Sequence, residues 1–234
     1  MWWFVVRKCY NAFMDSFYEL IDKYDSFLSE EKKESFIVKT SNKSKVLLSC
    51  PHAVSQFRQG RIKSAEKETG IIGLLLNELY GYPLTCKTSN KGDDANYDPS
   101  SDYKDEIIRL IKENGYRCVI DLHQLSYVRE ENINPGVAGY KNFPHKELLK
   151  DIVSVFNGYG IDKVSIDHPF GSYSDNTVSS YVHNHIGIDT IQLEINSRLV
   201  SKYCNKEFSK SHIKEVTEAL HEIIIMLDKF YEEN

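Results

Sequence analysis

An apolar run, Val46-Leu-Leu-Ser, too short for a helix, ends at Pro51 and His52 and is followed by a long amphipathic segment from Ser64 to Tyr80. A second run, Arg117 to Leu122, is almost continuously apolar and delivers His123 at its end. Asp189-Thr-Ile-Gln-Leu-Glu-Ile, in which apolar and polar residues alternate, reads as another strand. Short apolar runs like the first two mark strands buried on both faces. Alternating with helical segments, they direct the chain to an α/β fold: a three-layer sandwich with a mixed, largely parallel sheet and helices on both faces.

The remaining segments fill in that plan as one domain over residues 1–234, with residues 1–35 as an N-terminal helical extension packed on it. From Phe4 to Phe27, the spacing of Phe13, Phe17, Leu20, Ile21 and Tyr24 predicts an amphipathic helix. Phe36-Ile-Val-Lys-Thr and Val46-Leu-Leu-Ser, split by Ser41-Asn-Lys-Ser, predict a hairpin at or near the sheet edge. Leu84 to Lys87 reads as a strand, and Ser89 to Ser101 as a polar loop whose length suggests function more than connection. Asp102 to Asn114 reads as a helix closed by Gly115, and His145 to Tyr159 as another. Lys163-Val-Ser-Ile predicts a strand, Asn176 to His183 a short helix and Asn205 to Tyr231 a final long one.

With 41% hydrophobic and 27% charged residues in 234, the chain can bury a large core. Its net charge of -5 is spread along the sequence without a basic stripe, which argues against a nucleic-acid partner. Five cysteines, far apart and with no Cys-x-x-Cys pair, read as free thiols in a reducing compartment. The start, Met1-Trp-Trp-Phe-Val-Val-Arg-Lys, matches neither a signal peptide nor a membrane span. A cytoplasmic protein with a small polar substrate and no membrane partner is expected.

The chemistry is carried by groups at strand ends. His52 and a carboxylate at the mouth of the following helix leave the same sheet edge, and His123 ends a neighbouring strand. Two histidines and a carboxylate suit a catalytic zinc, which keeps its fourth position for water. The carboxylate is Glu66 or Glu68, and either alone could be a solvated acid in a first helical turn. Asp121 shares a strand face with His123 and is a candidate to orient His52 or to bind substrate. Glu194 alternates with Leu193 and Ile195 at the end of a late strand, where it is placed to accept a proton from water activated by the metal, the role of a general base. Arg58, Arg61 and Arg198 flank these segments and suggest an acidic substrate, although any one arginine alone reads as a surface residue.

The segment Pro51-His-Ala-Val-Ser-Gln-Phe-Arg-Gln-Gly-Arg-Ile-Lys-Ser-Ala-Glu-Lys-Glu-Thr-Gly, with Val119-Ile-Asp-Leu-His and Ile191-Gln-Leu-Glu-Ile-Asn-Ser-Arg-Leu, resembles the N-formylglutamate amidohydrolase-like proteins, relatives of the zinc carboxypeptidases. The resemblance implies zinc held by His52, Glu66 and His123, with Glu194 as general base. Glu66 is preferred because Glu66-Lys-Glu-Thr69 is similar to the pattern around the glutamate ligand in that clan. Asp94-Ala-Asn96-Tyr-Asp98 resembles the polar segment that approaches substrate, with Asn96 bonding a carboxylate or carbonyl. The chain departs from the carboxypeptidases in the long insertion between His52 and Glu66, which carries Arg58 and Arg61. The implied activity is zinc-dependent hydrolysis of an amide in a small acidic N-acyl substrate. The alternatives are a carboxypeptidase-like hydrolase of short peptides, a cysteine hydrolase using Cys50 beside His52, and a non-catalytic ligand-binding protein of the same fold.

Overall fold

The computed structural model describes residues 2–30, 32–201 and 210–234, with side chains from residue 14 onward. In chain order the elements are α1 (Trp2–Ser29), β1 (Phe36–Lys39), β2 (Val46–Cys50), β3 (Gln56–Arg58), β4 (Arg61–Lys63), α2 (Lys67–Tyr80), β5 (Leu84–Lys87) and α3 (Asp102–Asn114). There follow β6 (Cys118–Leu125), β7 (Ile133–Gly136), α4 (Lys146–Gly158), α5 (Val178–Ile186), β8 (Asp189–Asn196), α6 (Ser197–Val200) and α7 (Lys210–Glu233).

Six strands form one sheet in the order β1-β5-β2-β6-β8-β7. The four central strands are parallel, and the edge strands β1 and β7 run antiparallel to their neighbours. Because side chains alternate along a strand, the central strands β2 and β6 feed two cores. Val46, Leu48, Ile120, Leu122, Ile191 and Leu193 meet residues of α1, α2, α4 and α7 on one face. Leu47 and Val119 meet α3 and α5 through Tyr103, Ile107, Val178 and Val182 on the other. Each fully buried aliphatic side chain contributes roughly 1.5–3 kcal/mol to this packing. The result is the expected α/β sandwich with helices on both faces. Among the described residues, no helix is long and apolar enough to cross a membrane.

Three local expectations differ from the structure. The expected hairpin of β1 with β2 does not form, because β5 lies between them. β2 is buried along its whole length and takes parallel partners on both sides, which leaves the half-exposed β1 only the outer edge of β5. Lys163 to Ile166 contributes one bridge, Val164 to Ile133, since the backbone at Lys163 is left-handed and breaks the extended run. Conversely β7 lies in a stretch read as loop; its Pro135 is tolerated because the strand is at the sheet edge. The start of the last helix, residues 205–209, lies outside the described residues.

Candidate metal centre

His52 follows β2 in a buried turn, while Glu66 stands immediately before α2. The intervening segment is a closed excursion: β3 and β4 pair as a small ribbon, and Glu66 N–H donates to His52 O at 2.8 Å. That bond returns Glu66 to His52 despite the long insertion. Close approach of α2 to the turn is possible because residue 70 is glycine; a Cβ there would lie 2.5 Å from Ala53 Cβ. Glu66 occupies the N-cap position of α2 but does not cap it, and its carboxylate turns instead toward the two histidines.

His123 lies within β6, one of the strands packed beside β2, with its side chain on the α3/α5 face. Glu66 Oε1 is 3.0 Å from His52 Nδ1, and Glu66 Oε2 is 3.3 Å from His123 Nδ1. Ligand atoms of the three residues all lie within 4.8 Å of one another, and all three residues are buried. Tetrahedral zinc ligands at about 2.0–2.1 Å from the ion sit roughly 3.3 Å apart, so the two spacings from Glu66 to the imidazoles suit such an ion.

The outer nitrogens are held as metal-binding imidazoles require. His52 Nε2–H points to Asp94 Oδ1 at 2.9 Å, and His123 Nε2–H to Asp121 Oδ2 at 3.0 Å. Both aspartates are fully buried. Asp121 also accepts from Ser49 Oγ, and Asp94 from Arg58 Nε at 2.7 Å. Such carboxylate–imidazole pairs orient each ring so that Nδ1 faces inward, where it would serve a metal in place of the proton it shares with Glu66. His52, Glu66 and His123 therefore form a cluster able to hold a metal ion, with the donor set of an open zinc site.

Electrostatics follows from the same contacts. Burial would raise the Glu66 carboxyl, but the charges and hydrogen bonds of His52 and His123 outweigh it and hold it well below the usual carboxylate range. Burial opposes charge on His123, yet Asp121 and Glu66 carry it well above the ordinary imidazole range. Asp94 is held low by His52 and Arg58 against the effect of its burial. Glu194 is raised, chiefly by burial, with His123 pulling the other way and Glu66 reinforcing it.

Glu194 pairs in register with His123 across β6 and β8 and therefore shares its face. Its Oε1 accepts from Gln192 Nε2 at 2.9 Å. Both line a cavity of about 680 Å³ whose floor includes His52, Glu66 and His123. Arg58, Lys63 and Arg129 are the cations along its wall. The Arg58 guanidinium lies over the Tyr97 ring at 4.8 Å, and that of Arg129 over Phe170 at 6.0 Å. Asn96 also lines the cavity, with its Oδ1 accepting from Val178 N–H at the start of α5. Arg61 is exposed on β4 and lines an adjoining hollow that shares Arg58 and Lys63 with the cavity. Arg198 stands apart from the cavity lining; it donates to Asn132 Oδ1, Arg129 O and Glu130 O and so braces the loop that presents Arg129. Glu68 points elsewhere, with its Oε2 accepting from Gln124 Nε2. Cys50 faces α2, where its Sγ–H donates to Thr69 O; burial and the neighbouring Cys86 push its thiol well up, which disfavours a thiolate nucleophile.

No protein-family model and no curated protein matches the sequence. Solved structures do. N-formylglutamate amidohydrolase from Ralstonia eutropha JMP134 superposes with a TM-score of 0.62 at 10% identity, over 85% of this chain and 98% of that one. A bacteriophage poly-gamma-glutamate hydrolase gives 0.56 at 18% identity, over 88% and 94%. A gene product from Agrobacterium tumefaciens gives 0.55 at 16% identity, over 85% and 96%. The chain has the fold of these proteins.

Asp94, Lys63 and Arg129 are the site residues that sequence reasoning passed over. Asp94 alone left a trace, in the density of polar residues from Ser89 to Ser101, but an aspartate in such a loop reads first as a turn residue.

Proposed function

We propose that the protein is a zinc-dependent amidohydrolase acting on a small acidic N-acyl substrate, with His52, Glu66 and His123 as ligands and Glu194 as general base. The observation that carries this reading is the meeting of two carboxylate-backed imidazoles with Glu66 beside a buried glutamate in a cavity walled by cations. Bound zinc would supply Lewis-acid polarisation of a carbonyl and activation of water.

The chain's own groups supply the rest. Water adds to the amide carbon, the C–N bond breaks, and the proton released by water passes through Glu194 to the leaving nitrogen. The products are a carboxylate and an amine. The burial that raises Glu194 suits a group that must both accept and return a proton. Arg58 and Arg129 hold the substrate carboxylate, while Asn96 and Gln192 offer amide groups along the wall. Arg61, in the adjoining hollow, is outside the cavity lining, and Arg198 acts through the loop of Arg129. Two proteins of this fold carry the names N-formylglutamate amidohydrolase and poly-gamma-glutamate hydrolase, which supports an acidic amide as substrate.

The test is amine release by zinc-loaded protein from N-formyl-, N-acetyl- and N-succinyl-glutamate, from the same acyl groups on alanine, and from short acidic peptides. Acidic N-acyl compounds are expected to exceed their neutral counterparts by at least about 100-fold in kcat/KM, because a site built to pair a carboxylate leaves its cations unpaired without one. Preference for the C-terminal residue of peptides would favour the carboxypeptidase-like reading, and turnover of none would favour a ligand-binding protein.

A further inference from the structure

Lys63, the last residue of β4, sends its ammonium into the ligand cluster. Its Nζ donates to Glu66 Oε1 at 3.0 Å and lies 3.4 Å from His52 Nδ1. These are the two atoms that a metal would take. The other cations of the wall make different contacts, which leave them for a substrate carboxylate: Arg58 donates through Nε to Asp94 and lies over Tyr97, and Arg129 lies against Phe170. The Lys63 side chain is 39% exposed and lines the cavity, so it has room to leave the cluster without unpacking the core.

From this geometry we infer that Lys63 is a second functional cation of the centre: it shares ligand atoms with the metal and, once displaced from them, serves as the hydrogen-bond donor to the carbonyl oxygen of the scissile amide. The inference rests on the hydrolase reading. An ammonium and a divalent ion repel strongly at such separations, so the two cannot occupy the same edge of the cluster. The short tether from Lys63 to Glu66 keeps the displaced ammonium at the cavity wall next to the ligands. There it meets the side of a substrate carbonyl and stabilises the negative charge that builds on oxygen as water adds, a contribution that is strongest in the transition state. No atom is transferred to or from lysine in this role.

The experiment compares wild type with Lys63→Met and Lys63→Arg, reading zinc affinity by chelator competition and kcat and KM with the best substrate of the panel above. Lys63→Met removes the competing charge and is expected to bind zinc about tenfold more tightly. Its kcat is expected to fall about 100-fold with KM within about threefold, the pattern of a lost transition-state contact. Lys63→Arg, which keeps a donor and the charge, is expected to recover most of that loss. Unchanged or weaker zinc binding in Lys63→Met, or kcat within about threefold of wild type, would overturn the inference. A wild-type protein that binds zinc but hydrolyses nothing would count against the hydrolase reading and the catalytic half of this role, while the affinity comparison would still decide whether Lys63 shares the metal's atoms.

Discussion

Glu194→Gln is expected to keep its full metal content and to lose about 10²- to 10⁴-fold in kcat. The substitution is nearly isosteric, and its amide oxygen can still accept from Gln192 Nε2, so the packing of β8 against β6 is preserved. What disappears is the capacity to take a proton from water. Because Glu194 belongs to none of the ligand contacts of His52, Glu66 and His123, metal retention separates a catalytic loss from a structural one. The measurement is steady-state kinetics beside elemental analysis of the same preparation. A metal-loaded variant that turns over like wild type would remove Glu194 from the role of base.

Asp94→Ala is expected to weaken zinc binding by about 10- to 100-fold, the usual cost of losing a partner that orients a metal-bound histidine. The effect should be large because Asp94 serves two groups at once. It receives His52 Nε2–H and Arg58 Nε, and it is fully buried, so water cannot replace it without rearrangement. Loss of the carboxylate frees the His52 ring to choose the other tautomer, whose Nδ1–H would face the metal position. It also removes the acceptor of Arg58 Nε, but that side chain is 31% exposed, so water takes over part of the contact and the cost in stability is modest beside the loss in metal affinity. Chelator competition at fixed pH, with circular dichroism to confirm folding, gives the answer; a folded variant with wild-type affinity would show that Asp94 does not orient a ligand.

The parts of this protein that could be read from its sequence are those that depend on local pattern. Buried parallel strands announce themselves as short apolar runs in β2 and β6 and as alternation in β8, which is why these strands, and with them His52, His123 and Glu194, could be placed at one end of a sheet. Partner choice was less accessible. β1 and β2 are neighbours in sequence, but their pairing was decided by which strand needed two buried flanks, a property of the whole sheet. Helical phase favoured Glu66 over Glu68 only weakly, because its position depends on a backbone bond to His52 formed only once the β3–β4 ribbon has closed. Asp94 lies 42 residues beyond His52 in a loop with no periodicity, so nothing in the chain tied the two together. β7 was hidden by Pro135, which reads as a strand breaker unless the strand is known to lie at an edge.

The central claim is that His52, Glu66 and His123 hold a catalytic zinc. It is tested most directly by elemental analysis of wild-type protein and of His123→Ala, both purified without added metal. About one zinc per chain in the wild type, lost in a variant that remains folded, is the predicted result. No transition metal in wild-type protein that also takes up none on incubation with zinc would contradict it.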